Sequence, residues 1–223
     1  MAKIHELPDL RDTAHVFRDR SDAGRALARM LEPYRDRDAL VLAIPAGGVP
    51  VAAEIARSLA AALDVAVVSK ILLPWTTESG FGAVAFDGSV WIDEESVRYF
   101  DLKPRDVERS LAQAKEKVAR RVERLRRGRP PPEVKSRPVI LVDDGIAAGS
   151  TMRTAIAALR RAGASEIVVA VPTGHRRAVA EIAKLADAVY CANVRGMTRF
   201  AVADAYEEWR DVAESEAAAL LSY

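Results

Sequence analysis

The chain has 223 residues, of which 50% are hydrophobic and 29% are charged, a balance that suits a globular domain with a substantial core and argues against global disorder. Its 33 Lys and Arg residues nearly cancel its 32 Asp and Glu residues, so the net charge of +1 provides no overall attraction to nucleic acid or to an anionic membrane. The single cysteine, Cys191, excludes an internal disulfide and a cysteine-rich zinc site, and its position predicts a small buried residue at a strand end.

The amino-terminal stretch MAKIHELPDLRD is too polar for a secretory signal. Further along the chain, no apolar run reaches the roughly 18 residues that a membrane span needs. We therefore expect a cytoplasmic protein.

Apolar runs then alternate with amphipathic segments, a pattern typical of a parallel sheet with crossover helices. The spacing predicts helices at 21–34, 51–63, 103–129, 150–162 and 175–185, the first capped by Ser21 or Asp22, and a tail helix at 207–221. It predicts strands at 39–44, 65–70, 138–143, 166–172 and 188–193. Within 83–92, the Asp87-Gly88 pair predicts a β-hairpin. We expect one α/β domain over 1–223, an open, mainly parallel twisted sheet with helices on both faces and a core at about 15–205.

The stretch VILVDDGIAAGST at 139–151 combines a buried strand end, two acids and a loop of small residues. Small residues let backbone N–H groups turn inward, and the helix that follows adds its partial positive charge, so the loop is suited to holding a phosphate. Neither the Gly-Lys-Ser/Thr pattern of nucleotide triphosphatases nor the G-x-G-x-x-G pattern of dinucleotide-binding proteins is present, because Gly149 is followed by Ser150 and Thr151.

The adjacent carboxylates of Asp143 and Asp144 would repel a bare phosphate. They are better suited to accepting hydrogen bonds from neighbouring hydroxyl groups or to holding Mg²⁺. A sugar phosphate meets both requirements, although Asp144-Gly145 could also be a simple turn and Asp143 a helix-capping acid.

These residues resemble the signature of the type I phosphoribosyltransferases, in which such a segment binds phosphoribosyl pyrophosphate (PRPP). IPAGGVPVAAEIA at 44–56 resembles the pyrophosphate loop of that family, and Ser69-Lys70 resembles its basic strand end. The resemblance covers about 15–205 and is nearest to a subgroup whose acceptor is unassigned. It implies a Mg²⁺-dependent transfer of phosphoribosyl from PRPP to a small nucleophile, with release of pyrophosphate. The acceptor that we expect is a nitrogenous base.

The resemblance implies catalytic roles for Asp143, Asp144 and Lys70, with Mg²⁺ held mainly by PRPP oxygens and in part by the two acids. The substrate-binding residues that it implies are Ala46, Gly47, Gly48, Gly145, Ile146, Ala147, Ala148, Gly149, Ser150 and Thr151. Two of them depart from the family pattern, because Ala46 stands where a basic residue is common and Ala148 where a hydroxyl residue is common. These losses leave open a non-catalytic PRPP or nucleotide sensor on the same fold.

A third interpretation is an RNA-binding regulator that uses the basic cluster Arg120–Arg129, although a solvated helix end explains that cluster better.

The acceptor would be chosen by a hood built from 1–20 and 191–206, in which Asn193, Arg195, Met197 and Phe200 are candidates; Phe200 could equally anchor the tail helix. His175 could face the substrate or begin a helix. The loop at 74–82, with Glu78, could be an active-site flap or a surface loop, and a homodimer is left open.

Overall fold

The structure, a computed structural model, describes residues 2–76 and 79–221 of the chain. In chain order its strands are β1 (Lys3–His5), β2 (Leu40–Ala43), β3 (Ala62–Val65), β4 (Val68–Leu72), β5 (Gly80–Ala85), β6 (Val90–Ile92), β7 (Pro138–Val142), β8 (Glu166–His175) and β9 (Ala188–Arg195). Its helices are α1 (Arg20–Met30), α2 (Gly48–Leu59), α3 (Glu94–Tyr99), α4 (Pro104–Arg126), α5 (Ser150–Arg161), α6 (Arg176–Ile182) and α7 (Glu214–Leu220). Short 3-10 turns lie at Pro8–Leu10, Glu32–Tyr34 and Val202–Ala205.

Six strands form the main sheet in the order β1-β9-β8-β7-β2-β3, and each neighbouring pair is parallel. Successive side chains of a strand point to opposite faces. In β7, Ile140 and Val142 enter the core on one face and Val139 and Leu141 enter it on the other. Because both faces are apolar, α1 and α2 cover one of them and α5 and α6 cover the other. The predicted parallel α/β sheet with helices on both faces is confirmed.

A second sheet of three antiparallel strands, β4-β5-β6, stands beside the main one. Asp87 and Gly88 form the turn between β5 and β6, and Gly88 has a positive φ of 81°, so the predicted hairpin is confirmed. The long helix α4 packs against β4 and β5. Its last turn is fixed by Arg126, whose guanidinium donates to Asp64 Oδ1 at 3.3 Å and to the carbonyl of Val65 at 3.2 Å.

Several predicted elements are wrong in extent. The expected strand 65–70 is two strands, because β3 ends at Val65 in register with Ala43 and the chain then crosses to the second sheet as β4. The helix expected at 51–63 begins at Gly48 and ends at Leu59, since Ala60 takes a left-handed conformation with φ of 52°.

The expected tail helix 207–221 is helical only over α7. The N–H groups of Glu207 and Glu208 donate instead to the carbonyls of Phe17 and Arg18, so this segment runs along the start of α1. That helix also begins earlier than expected, with Asp19 as its N-cap; the Asp19 carboxylate accepts from the N–H of Asp22 at 2.8 Å.

Within residues 2–76 and 79–221, no helix is both long enough and apolar enough to cross a membrane.

Candidate functional site

The two predicted ligand loops touch each other at the carboxyl edge of the main sheet. β2 and β7 are neighbours in register, with Ala43 opposite Val142, so the loops that follow leave the sheet at the same level. A Cβ atom built on Gly47 would overlap the Asp144 carboxylate, and one built on Gly48 would lie 2.8 Å from the carbonyl oxygen of Val142. The glycines of the first loop therefore allow the close approach of the second.

Replacing Gly47 by alanine should separate these loops and weaken any ligand that bridges them, because the added methyl group meets Asp144 directly. We expect at least a tenfold loss of affinity, about 1.4 kcal/mol, for a ligand held by both loops. Calorimetric titration would measure it, with Ala60→Gly at the exposed far end of α2 as control, since Ala60 lines neither cavity of the site. Unchanged affinity in Gly47→Ala would contradict the tight contact.

Asp144 is held by an arginine that sequence reasoning did not identify. Arg20, in the first turn of α1, donates from Nε and Nη2 to Asp144 Oδ2 at 3.0 and 2.8 Å. Its Nη1 donates to the carbonyl oxygen of Arg210 at 2.8 Å. Both hydrogen bonds to the carboxylate go to one oxygen, so Asp144 Oδ1 is left to other donors.

Aromatic side chains from the C-terminal segment enclose Arg20. The Arg20 guanidinium lies 3.9 Å from the Trp209 ring centroid, a cation–π contact, and the Tyr206 hydroxyl donates to the Asp144 carbonyl at 2.7 Å. Desolvation raises the pKa of Tyr206 well above its usual range, so the phenol stays neutral. No local sequence pattern indicates this cluster, because Arg20, Asp144 and the segment 206–210 are separated from one another by about 60 to 190 residues.

Asp143 sits beside this ion pair in a different electrostatic environment. Desolvation first, and the charge of Asp144 second, raise the pKa of the Asp143 carboxyl well above its usual range. Its Oδ1 accepts the N–H of Asp144 at 2.9 Å. The two neighbouring acids are therefore unequal, because one is paired with an arginine and the other is buried in surroundings that raise the pKa of its carboxyl.

The small-residue loop encloses a cavity of about 200 Å³ above the start of α5. Gly149 has a positive φ of 80° and precedes the first residue of that helix. Ile146 is buried and tied to β8, because its N–H donates to the Thr173 carbonyl and its own carbonyl accepts from His175. The cavity is lined by Lys70, Asp143, Gly145, Ile146, Ala147, Ala148, Gly149, Ser150, Thr151, Met152 and Val202. The predicted cradle residues are thus brought together around one concave space.

A second cavity of about 470 Å³ adjoins the first, since Lys70, Asp143 and Thr151 line both. Its acidic wall is formed by Asp143 and Asp144, and Gly47 lies between the two loops. Its other wall is basic: Lys70 on β4 is joined there by Lys117 and Arg121 from α4, which sequence reasoning did not identify as site residues. Ala46, by contrast, does not line it.

The hood candidates lie on β9 and in the segment that follows it. Asn193 is fully buried, and its amide nitrogen donates to the carbonyls of Leu10 and Thr13 while its oxygen accepts from Thr173 Oγ1. Arg195 is also buried, with its guanidinium 5.3 Å from the ring centroid of Phe200. These two side chains join the leading segment and the 196–201 loop to the sheet, whereas Met197 is half exposed.

Neither cavity is lined by Cys191, His175 or Trp75. Cys191 is buried as predicted, and burial raises the pKa of its thiol. His175 precedes α6 and its ring lies 5.7 Å from that of Phe200. Trp75 is 62% exposed. Glu78, the acid of the predicted flap, lies outside the described residues.

The basic cluster at 120–129 is largely engaged in ion pairs and hydrogen bonds. Arg121 and Arg124 both bond Glu214 of α7, at 2.6 and 3.0 Å, and Arg126 is buried against Asp64. Such pairing favours a structural role over an RNA-binding surface.

Among residues 2–76 and 79–221, no group of three or more His, Cys, Asp or Glu side chains could hold a metal ion. Two carboxylates at a cavity do suit Mg²⁺ when substrate oxygens supply most of its ligands, because Mg²⁺ is commonly held by one or two carboxylates together with substrate phosphates. Asp143 and Asp144 therefore fit such an ion only in company with a phosphorylated ligand.

These features define an α/β protein whose candidate ligand site lies beyond the carboxyl ends of a parallel sheet, between an acidic pair, a small-residue loop and a basic wall. The chain belongs to the type I phosphoribosyltransferase family: the model of the phosphoribosyl transferase domain matches residues 20–206. The resemblance seen in the sequence is confirmed.

Two relatives support this assignment. A Mycobacterium tuberculosis protein, present in strains CDC 1551 and H37Rv and named provisionally as a phosphoribosyl transferase, is 39% identical over 206 residues, which is 92% of this chain. The chain spans 46% of the length of that relative. The crystal structure of TT1426 from Thermus thermophilus is 36% identical, with a TM-score of 0.75 over 92% of this chain and 97% of that one.

Proposed function

We propose that the protein transfers phosphoribosyl from PRPP to a small nitrogenous base and releases pyrophosphate. The observation that carries the proposal is the joining of two cavities through Lys70, Asp143 and Thr151. One has the small-residue lining that suits the 5-phosphate, and the other has acids for the ribose hydroxyls opposite cations for pyrophosphate.

Within this site, Asp143 and Asp144 accept hydrogen bonds from the ribose 2- and 3-hydroxyl groups, Asp144 through Oδ1 because Arg20 bonds its Oδ2. Backbone N–H groups of Ala147 to Thr151 hold the 5-phosphate, and the positive end of α5 adds to the attraction. The acceptor lies towards the hood, of which Val202 lines the smaller cavity.

In the reaction, the bond between ribose C1 and the pyrophosphate oxygen breaks, and its electron pair leaves with pyrophosphate. A nitrogen lone pair of the acceptor forms the new bond to C1, and that nitrogen loses its proton to solvent. C1 acquires oxocarbenium character between the two events, and the negative charge that develops on the leaving group is stabilised by Lys70 and by the backbone dipole at Gly47. The predicted contact from Gly48 is left out, because its N–H donates to the carbonyl of Ile44 at 3.1 Å. Mg²⁺, held by Asp143, Asp144 and PRPP oxygens when bound, supplies further charge neutralisation.

A non-catalytic PRPP or nucleotide sensor is the second candidate, and the loss of donors at Ala46 and Ala148 favours it. Pyrophosphate release on mixing PRPP with a panel of purine and pyrimidine bases distinguishes the two. The transferase releases pyrophosphate with at least one base, whereas the sensor binds PRPP and releases none.

PRPP with Mg²⁺ should raise the melting temperature, because the acids and the loops form one site only in the folded state. At a hundredfold excess over the dissociation constant, linkage gives about 2.7 kcal/mol, equivalent to roughly 5–10 °C for a chain of this size. Thermal denaturation across a PRPP series measures the shift, with the double variant Asp143→Ala, Asp144→Ala as the non-binding control. A melting temperature that stays constant up to millimolar PRPP would rule out both candidates.

A further inference from the structure

The basic wall of the larger cavity contains more positive charge than the strand-end lysine alone. Lys70 extends from β4, and α4 packs on that strand so that Lys117 and Arg121, one helical turn apart, line the same space. Across the cavity, the charge of Asp144 is already matched by Arg20. The α4 side therefore attracts an additional anion.

The surroundings of the two α4 cations are consistent with this role. Lys117 is exposed, and within residues 2–76 and 79–221 no carboxylate forms an ion pair with it. Arg121 is only 16% exposed, and it shares the single carboxylate of Glu214 with Arg124. Because two cations share one anion, the cluster of these three side chains keeps a net positive charge. The helix that presents both side chains is held in place by Arg126 at its last turn.

We propose that Lys117 and Arg121 of α4 bind the pyrophosphate group and take the place of the basic residue that is missing at Ala46. This inference rests on the proposed function, since it concerns the leaving-group side of the same site. The cations that bind pyrophosphate then come from α4, which covers the second sheet, and not from the loop after β2. Strong binding of pyrophosphate would then depend on the packing of α4 against β4.

The chain offers a matched control for each cation. Lys115 is on the same helix but lines a separate apolar groove between α4 and the β5–β6 hairpin, so Lys115→Ala removes the same charge away from the site. Arg124 bonds Glu214 as Arg121 does, yet it is 73% exposed and does not line the cavity. Arg124→Gln therefore controls for the lost ion pair with α7.

The experiment is calorimetric titration of the full chain with Mg²⁺ and either pyrophosphate or ribose 5-phosphate. We expect Lys117→Ala and Arg121→Gln each to weaken pyrophosphate binding about ten- to a hundredfold. Lys115→Ala and Arg124→Gln should bind pyrophosphate as the unchanged protein does. All four variants should bind ribose 5-phosphate as tightly as the unchanged protein does, because that compound has no leaving group.

Unchanged pyrophosphate affinity in Lys117→Ala and Arg121→Gln would overturn the inference and leave the proposed function standing. Equal losses in Lys115→Ala and Arg124→Gln would also overturn it, because the effect would then be one of overall charge. If the unchanged protein binds neither pyrophosphate nor ribose 5-phosphate, the proposed function is overturned as well.

Discussion

Replacing Arg20 by methionine is expected to lower the free energy of unfolding by about 3–5 kcal/mol. The side chains of Arg20 and Asp144 are only 9% and 17% exposed. In the variant, the Asp144 carboxylate therefore loses its paired cation and has little access to water in its place. It also removes the hydrogen bond to the Arg210 carbonyl and the contact with Trp209. Because small proteins are stable by roughly 5–15 kcal/mol in total, the variant should unfold at a much lower urea concentration.

Arg25 provides the comparison for this experiment. It lies on the same helix, and its side chain, 42% exposed, pairs with the equally exposed Asp22 at 3.2 Å and more distantly with Glu54 at 4.0 Å. Exposed pairs contribute about 0–1 kcal/mol, so Arg25→Met should have little effect on urea denaturation. Equal destabilisation by the two variants would show that Arg20 is not the buried centre that its contacts indicate.

Arg20→Lys adds a second comparison. Lysine keeps the charge but lacks the planar fork that reaches Asp144 and the Arg210 carbonyl together, so we expect an intermediate loss. PRPP binding should fall in the same order, since Arg20 orients the Asp144 carboxylate without belonging to the loops that would hold the ligand.

Local patterns were sufficient to predict the strand and loop at the centre of the site. Four apolar residues, two acids and a small-residue loop are contiguous at 139–151, and such a segment can fold in few ways at the end of a buried strand. The Asp87-Gly88 hairpin was predictable for the same reason. In each case the residues that determine the structure are neighbours in the chain.

The features that were missed depend on residues distant in sequence. Arg20 resembles an ordinary surface residue at a helix start, and only the return of the chain at Tyr206 and Trp209 buries it. The run 65–70 has the pattern of one apolar strand, because no residue in it marks the crossing between sheets. Lys117 and Arg121 lie on a long charged helix, where any face could be the solvent face until packing selects one.

The two acids of the site are expected to affect stability in opposite directions when each is made neutral. Asp144→Asn weakens the pair with Arg20 and should reduce the free energy of unfolding by about 1–3 kcal/mol. Asp143→Asn removes a like charge from beside Asp144 and keeps an Oδ1 that can accept the Asp144 N–H. It should raise the free energy of unfolding at neutral pH by roughly 0.5–2 kcal/mol, while PRPP binding is lost because the amide carries no charge and is a weaker acceptor for the ribose hydroxyl.

The pH dependence gives the more specific test of Asp143. Its pKa is raised in the folded protein, so the folded state binds the proton more tightly than the unfolded state does. The stability from this group is therefore complete below the unfolded pKa of about 4 and is lost as the pH rises through the folded pKa. The advantage of Asp143→Asn over the unchanged protein should accordingly grow between pH 5 and pH 8, in urea denaturation without PRPP or divalent ions. If Asp143→Asn is less stable than the unchanged protein at pH 8, folding does not raise the pKa of the Asp143 carboxyl. The two acids of the site would then be equivalent rather than unequal.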